Sequence, residues 1–148
     1  ALRDAVETAG DDAGLLRAGV TLEIDVGPTE IAFADPEQMN RVLVNLLRNA
    51  REAIQASDNA DKGVIRVFAA RSGGQVTLAL ADNGPGLPER ALANLFQPFT
   101  GSGKPGGTGL GLAISRELAQ ANGGDLVLAR SGPKGAVFEP RAPAAAAA

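Results

Sequence analysis

The fold is decided by the stretch DPEQMNRVLVNLLRNAREAIQA, residues 35–56. Asp35 can cap a helix through its side chain, and Pro36 suits the first helical turn, where no backbone donor is needed. Apolar residues then recur at steps of three and four, which is the spacing of one helix face. They are Met39, Val42, Leu43, Leu46, Leu47, Ala50 and Ile54. The pattern predicts a long helix that ends near Ala56 and turns this face inward.

Strand patterns lie on both sides of this helix. Short alternating or continuous apolar runs, bounded by residues that favour turns, are typical of strands. They are residues 20–26, 31–34, 64–68, 76–80, 125–130 and 136–139. Ser72-Gly73-Gly74 separates the third run from the fourth, which predicts a hairpin.

Three further segments are expected to be helical. They are residues 2–18, 88–95 and 110–121. Gly10 and Gly14 break the first pattern, and Gly123-Gly124 ends the last helix. Residues 97–108 are rich in Gly, Pro, Ser and Thr and lack periodicity, so we expect them to form a mobile lid.

Composition excludes several classes of function. The 148 residues fit one domain, and a net charge of −3 with scattered basic residues argues against a nucleic-acid or membrane surface. The absence of cysteine excludes disulfides and thiol chemistry and fits the cytoplasm. No apolar run approaches the roughly 20 residues of a spanning helix. Because the chain has no histidine, chemistry that needs one must take it from elsewhere.

Four glycines fall within six positions, at Gly106, Gly107, Gly109 and Gly111. At an average usage near 7%, the chance that glycine occupies these four particular positions is roughly 10⁻⁵. Glycines let backbone approach a ligand closely, and the free N–H groups of a helix N-terminus point at an anion. The cluster is therefore either a phosphate cradle or a flexible hinge that packs its helix on the sheet.

Asp82-Asn83-Gly84-Pro85-Gly86 follows a predicted strand. The carboxylate of Asp82 could accept a hydrogen bond from an exocyclic amine such as that of adenine, and the glycines would let a flat ligand approach. The alternative is an ordinary turn, because these residue types are favoured in turns.

Asn45 and Asn49 lie four residues apart on one face of the long helix, although helix interiors disfavour asparagine. Amide oxygens suit Mg²⁺, which binds through few protein groups plus substrate phosphates. Asn45 could instead bond a neighbouring loop, and Asn49 could simply be exposed.

Several other residues allow two interpretations. Arg48, Arg51, Glu52 and Lys104 are either phosphate or metal-shell residues or solvated charges. Phe96-Gln97-Pro98-Phe99 either pins the lid or fills the core.

In their order and spacing, four of these segments resemble the N, G1, F and G2 boxes of sensor histidine kinases. They are residues 45–53, 82–86, 96–99 and 106–112. The resemblance covers about residues 20–143 and implies the Bergerat fold, an α+β two-layer sandwich in which a mixed sheet packs against helices beneath an ATP lid. It also implies the cofactors ATP and Mg²⁺.

The resemblance assigns a role to each matching position. Asn49 would coordinate Mg²⁺ with support from Asn45, Asp82 would bind adenine, and Gly84 and Gly86 would make room for it. Further nucleotide contacts would come from Thr100, Lys104, Gly107, Thr108, Gly109, Leu110, Gly111 and Leu112. Lys104 would reach the γ-phosphate.

The related gyrase, chaperone and mismatch-repair ATPases carry a water-activating glutamate at the position of Asn45. Without that base, transfer to a histidine nucleophile is the reaction the resemblance implies, with Glu52 able to orient the nucleophile. The alternatives are a nucleotide-binding interaction module or pseudokinase without phosphotransfer, and a serine kinase of the anti-sigma type. The family often has histidine where this chain has Asn122, and its lid is often longer.

The same resemblance implies the domain organisation and partners. Residues 1–19 would lead in from a preceding dimerisation domain, residues 20–143 would form the catalytic domain, and residues 144–148 are an Ala-rich tail. The expected partner is the histidine-containing dimerisation domain, with a response regulator downstream. We expect no nucleic acid, no direct membrane contact, and a monomeric isolated domain that cannot autophosphorylate alone.

Overall fold

A computed structural model describes residues 2–26, 36–56, 62–86, 96, 111–132 and 135–143. The helices within these ranges are α1 (Leu2–Asp12), α2 (Pro36–Gln55) and α3 (Gly111–Ala121). The strands are β1 (Thr21–Asp25), β2 (Val64–Ser72), β3 (Gln75–Asp82), β4 (Asp125–Gly132) and β5 (Gly135–Pro143). No helix in these ranges is long and apolar enough to cross a membrane.

The described strands form one mixed sheet in the order β1-β2-β3-β5-β4. β1 runs parallel to β2, and the other neighbouring pairs are antiparallel. Burial alternates strictly along β5 and along most of β3, which is the pattern of a sheet with one covered face. This mixed sheet with its helices confirms the predicted α+β class.

The helix α2 occupies the middle of the helical layer, with α1 on one side and α3 on the other. The predicted inward face is confirmed, since five of its members are buried and Met39 and Ala50 are partly buried. The buried ones are Val42, Leu43, Leu46, Leu47 and Ile54. They pack in one core with residues of the sheet and of α1, including Val6 and Ala9.

The two sides of α2 are distinguished by spacing and by contacts. Asn40, Val44 and Arg51 share the side that meets α1, where Asn40 Nδ2 donates to Asp12 Oδ2 at 3.2 Å. We call this side the α1 flank. Packing against α1 explains why Val44, outside the predicted apolar face, is buried.

The opposite side of α2 meets α3. Gln38 and Asn45 both hydrogen-bond residues associated with α3, and Asn49 and Glu52 follow on the same helical face. We call this side the α3 flank.

The predicted hairpin is confirmed and is longer than expected. Ser72 pairs with Gln75, and Gly73 occupies the turn with a φ of +60°. The last two strands also extend beyond their predicted ends, to Gly132 and Pro143. Gly123, with a φ of +85°, follows α3 as expected.

The prediction that Gly10 breaks the first helix is wrong. α1 continues through Gly10 to Asp12, and the chain then turns over residues 13–19. A Cβ at Gly10 would lie 2.7 Å from Leu22 Cδ2, so glycine serves close packing of α1 on β1. The predicted strand at 31–34, the short helix at 88–95 and the lid at 97–108 lie outside the described residues.

Candidate functional site

Asp82 ends β3 and its carboxylate is held by backbone amides from two elements. Its Oδ1 accepts from Gly84 N–H at 2.9 Å and from Ala136 N–H, on β5, at 3.4 Å. Hydrogen bonds from backbone amides to a carboxylate are charge-assisted, and the shorter bond from Gly84 is the stronger of the two. The orientation of Asp82 is thus set by its own turn and by the neighbouring strand.

Asn83 ties the same turn to the start of β2. Its Oδ1 accepts from Val64 N–H at 2.9 Å, its Nδ2 donates to Lys62 O at 2.9 Å, and its backbone N–H donates to Val64 O at 3.2 Å. The residue types 82–86 are compatible with an isolated turn, but these contacts make the turn part of the sheet edge. Sequence reasoning did not assign Asn83 a role.

Gly84 and Gly86 allow the turn to approach neighbouring backbone. A Cβ at buried Gly84 would lie 3.4 Å from the backbone of Ala53 and Ile54 in α2. Gly86 has a φ of +79°, and a Cβ there would collide with the backbone of Gly132 in β4. The glycines bring Asp82 close to the last turns of α2, whereas room for a nucleotide beside them stays a prediction.

The α3 flank of α2 supplies the polar side chains opposite this turn. Asn45 Nδ2 donates to Ser115 Oγ at 3.1 Å, and Ser115 is 0% exposed. Asn49 and Glu52 lie one and two turns further along the same face and are partly exposed. This face carries amide and carboxylate oxygens towards the end of α2 that contacts Gly84.

α3 is anchored to its surroundings by Arg116 and Asp125. The Arg116 guanidinium carbon lies 4.8 Å from the centre of the Phe96 ring, and its Nε donates to Asp125 Oδ1 at 3.1 Å. Partial burial opposes ionisation of Asp125, but bonds from Arg116, the Leu126 amide and Gln120 outweigh it and lower the pKa below 3.8. Arg116 therefore connects Phe96, in the predicted F box, with the start of β4.

Residues 34–146 match the family model described as "Histidine kinase-, DNA gyrase B-, and HSP90-like ATPase". The chain belongs to this ATPase family. The match spans the end of β3, the α3 flank and the start of α3, so the predicted boxes lie inside the shared region.

Curated relatives and solved structures add detail about this ATPase domain. The C4-dicarboxylate transport sensor protein DctB of Rhizobium meliloti is 40% identical over 79% of the chain, which spans only 18% of its length. The mycobacterial sensor histidine kinase MprB superposes with a TM-score of 0.77 at 24% identity, covering 97% of this chain and 95% of that one. Full-length ShkA, solved in complex with AMPPNP, has a TM-score of 0.73 at 31% identity, covering 99% of this chain and 30% of that one. The fold expected from the resemblance is confirmed.

The fold brings some predicted site residues together and places Arg51 away from them. Asp82 and Gly84 lie beside the end of α2, and Asn45 lies beside α3. Arg51 is on the α1 flank, where its Nη1 would lie 3.7 Å from a Cβ at Gly14, so it points away from Asn45. Arg48 is exposed.

Two of the remaining predicted nucleotide contacts lie at the start of α3. Gly111 is its first residue, and Leu112 is partly buried against the core. The others lie outside the described residues: Thr100, Lys104, Gly107, Thr108, Gly109 and Leu110. Sequence reasoning missed Ser115, Arg116 and Asp125, whose only local signal was their place within or just after a helical pattern.

Proposed function

We propose that this domain binds Mg-ATP between α2, the Asp82–Gly86 turn and the start of α3. It transfers the γ-phosphate to a histidine on a separate dimerisation domain, as the catalytic half of a cytoplasmic two-component sensor histidine kinase. The observation that carries this proposal is the Asp82 carboxylate, which backbone amides hold at the end of β3 beside α2. Membership of the ATPase family supports it.

Asp82 recognises the adenine base. An ionised carboxylate only accepts hydrogen bonds, and the exocyclic amine of adenine donates them. Guanine has a carbonyl oxygen at the corresponding ring position, and two acceptors cannot bond each other. Because hydrogen bonds from Gly84 and Ala136 already hold the carboxylate, Asp82 loses little conformational entropy on binding. The match between the acceptor of Asp82 and the donor of adenine favours ATP over GTP.

The α3 flank suits a magnesium ion that is shared with phosphates. No group of three or more His, Cys, Asp or Glu side chains able to hold a metal occurs in the described ranges. Mg²⁺ typically keeps several waters and uses one or two protein oxygens plus phosphate oxygens, which fits an amide oxygen from Asn49 supported by Asn45. When bound, the ion would neutralise phosphate charge.

The phosphates are expected to meet the start of α3. Free N–H groups at a helix N-terminus attract anions, and α3 begins at Gly111 and runs for 11 residues. We assign the phosphate contacts to residues 107–112, with Lys104 near the γ-phosphate and Thr100 as a further contact.

The reaction follows from which nucleophile is within reach. Asn45 provides no carboxylate to activate water, so hydrolysis should be slow. In the transfer, a histidine nitrogen bonds to the γ-phosphorus while the bond from that phosphorus to the β,γ-bridging oxygen breaks, and ADP leaves. Glu52, on the α3 flank, orients the imidazole and can take its proton. The chain contains no histidine, so the acceptor must come from another domain.

The proposal is tested by incubating the chain with ATP labelled at the γ-phosphate, Mg²⁺ and the histidine-bearing helical domain of the same kinase. We expect label on the helical domain that is lost in acid and stable in base, as phosphohistidine is. Label that survives acid would indicate a serine kinase instead. Tight ATP binding without label would indicate an interaction module. No label on the chain alone is the expected control result.

A further inference from the structure

Ser115 is the one polar side chain that is fully buried in the described part of the chain, at 0% exposure. Serine is mildly unfavourable inside helices because its hydroxyl competes with backbone hydrogen bonds. Alanine at this position would favour the helix more than serine does. The hydroxyl therefore requires an explanation, and its partner on α2 supplies one.

The partner of Ser115 is the amide of Asn45, whose Nδ2 donates to Ser115 Oγ at 3.1 Å. A helical serine commonly donates its own proton to the carbonyl four residues earlier, which leaves its oxygen as an acceptor. The planar amide of asparagine carries its nitrogen and its oxygen on different branches. With the nitrogen directed at Ser115, the oxygen of Asn45 is directed away from Ser115.

The position of this bond along both helices is as informative as its geometry. Ser115 lies four residues after Gly111, the first residue of α3, which is about one turn or 6 Å of rise. Asn49 lies about one turn beyond Asn45 on α2. The bond thus joins the start of α3 to the part of α2 that carries the paired asparagines.

We propose that Ser115 is a positioning residue for the metal-dependent part of nucleotide binding, a role that rests on the function proposed above. By holding the Asn45 amide, it sets the orientation of the oxygen that supports Asn49. The amide groups that are proposed to meet Mg²⁺ then keep one arrangement before the nucleotide binds.

The same pair of helices contains a matched control. Asn122, directly after α3, donates from Nδ2 to Gln38 Oε1 near the start of α2 at 3.0 Å. Gln38 lies seven residues before Asn45, which is about two turns or 10 Å further from Asn49. The two bonds are alike in kind and connect the same elements, but only the one from Asn45 lies about one turn from both Gly111 and Asn49.

The test compares Ser115→Ala with Gln38→Ala by measuring the Kd for ATP with MgCl₂ and with EDTA. In the wild type the ratio of the two Kd values gives the contribution of Mg²⁺. We expect Ser115→Ala to reduce this ratio about 3- to 10-fold, the effect of losing one hydrogen bond, and to leave the Kd in EDTA unchanged. Gln38→Ala should leave both values unchanged.

Three results would overturn the inference. An unchanged ratio in Ser115→Ala would show that the hydroxyl does not position the metal-binding groups. An equal fall of the ratio in Ser115→Ala and Gln38→Ala would show that the bond only contributes to general packing of the two helices. If Ser115→Ala fails to fold, Ser115→Cys, with a weaker acceptor of similar size, must give an intermediate ratio, and a wild-type ratio contradicts the inference. A wild type without Mg²⁺-dependent ATP binding would instead overturn the proposed function itself.

Discussion

The two flanks of α2 are built from different contacts. On the α1 flank, Val44 is buried among the apolar residues of the core, and Asn40 forms an exposed hydrogen bond with Asp12. On the α3 flank, Asn45 bonds a fully buried serine, and a second hydrogen bond, between two amides, connects Asn122 with Gln38. Apolar burial contributes stability without requiring one orientation, whereas buried polar contacts fix orientation at some cost.

This difference indicates a division of tasks within one helix. The α1 flank holds α2 in the fold, and the α3 flank presents oriented oxygens towards the proposed nucleotide. Substitutions on the α1 flank should then change stability and leave Mg²⁺-dependent binding unchanged. Substitutions in the part of the α3 flank that carries Asn45 and Asn49 should do the reverse.

The largest effect is expected from the α1 side. Val6 is 0% exposed, so Val6→Ala removes buried methyl groups and should lower the free energy of unfolding by about 2 kcal/mol. Urea unfolding followed by circular dichroism measures it. The control is Glu7→Ala, which breaks only an exposed pair with Arg3 and should cost less than about 0.5 kcal/mol. An equal fall in the free energy of unfolding in both variants would contradict the proposal that the α1 flank stabilises the fold.

A smaller effect, on binding instead of stability, is expected from Asn49→Ala. Losing one amide ligand should weaken ATP binding in Mg²⁺ about 10-fold and leave binding in EDTA unchanged. Titration calorimetry measures both constants. Asn40→Ala makes the same change on the same helix but on the α1 flank, and it should bind ATP as the wild type does. If the two variants behave alike, the flanks do not differ in function.

The smallest effect is expected from the ion pair between Arg116 of α3 and Asp125 of β4. The pKa of Asp125 is lowered in the folded state, so its ionised form stabilises the fold above the unfolded value near 3.8. This contribution is lost as pH falls through the folded pKa. Because the pair with Arg116 is more than a third exposed, Asp125→Asn should cost only about 0.5 kcal/mol at pH 7. The difference from wild type should shrink when melting is repeated at pH 3, and a constant difference would contradict the assignment.

The sequence predicted the features that depend on local spacing. The inward face of α2, the hairpin at Gly73 and the end of α3 before Gly123 follow from periodicity and turn chemistry, and the structure confirms them. The predicted helix break at Gly10 was wrong because glycine is also used for close packing, which propensity alone does not reveal.

The sequence could not identify the contacts that orient the candidate site. Ser115 and Asn45 are 70 positions apart, and Asn83 is 19 positions from Val64, so neither pairing leaves a local pattern. The resemblance to the N and G1 boxes identified Asn45 and Asp82 as candidate site residues. The groups that hold those side chains are brought near them only by the tertiary structure. Motif reasoning is therefore informative about which residues carry chemistry and silent about what positions them.

The most direct test of the central claim, an adenine nucleotide read by Asp82, is the preference of the domain for ATP over GTP. Calorimetric titration of both nucleotides in MgCl₂ should show that Asp82→Asn weakens ATP binding about 10- to 100-fold, the effect of losing a charged hydrogen bond, and reduces the preference for ATP. The folded state should persist, since asparagine keeps an oxygen for the amides of Gly84 and Ala136. A folded Asp82→Asn variant with wild-type affinity and preference would contradict the account.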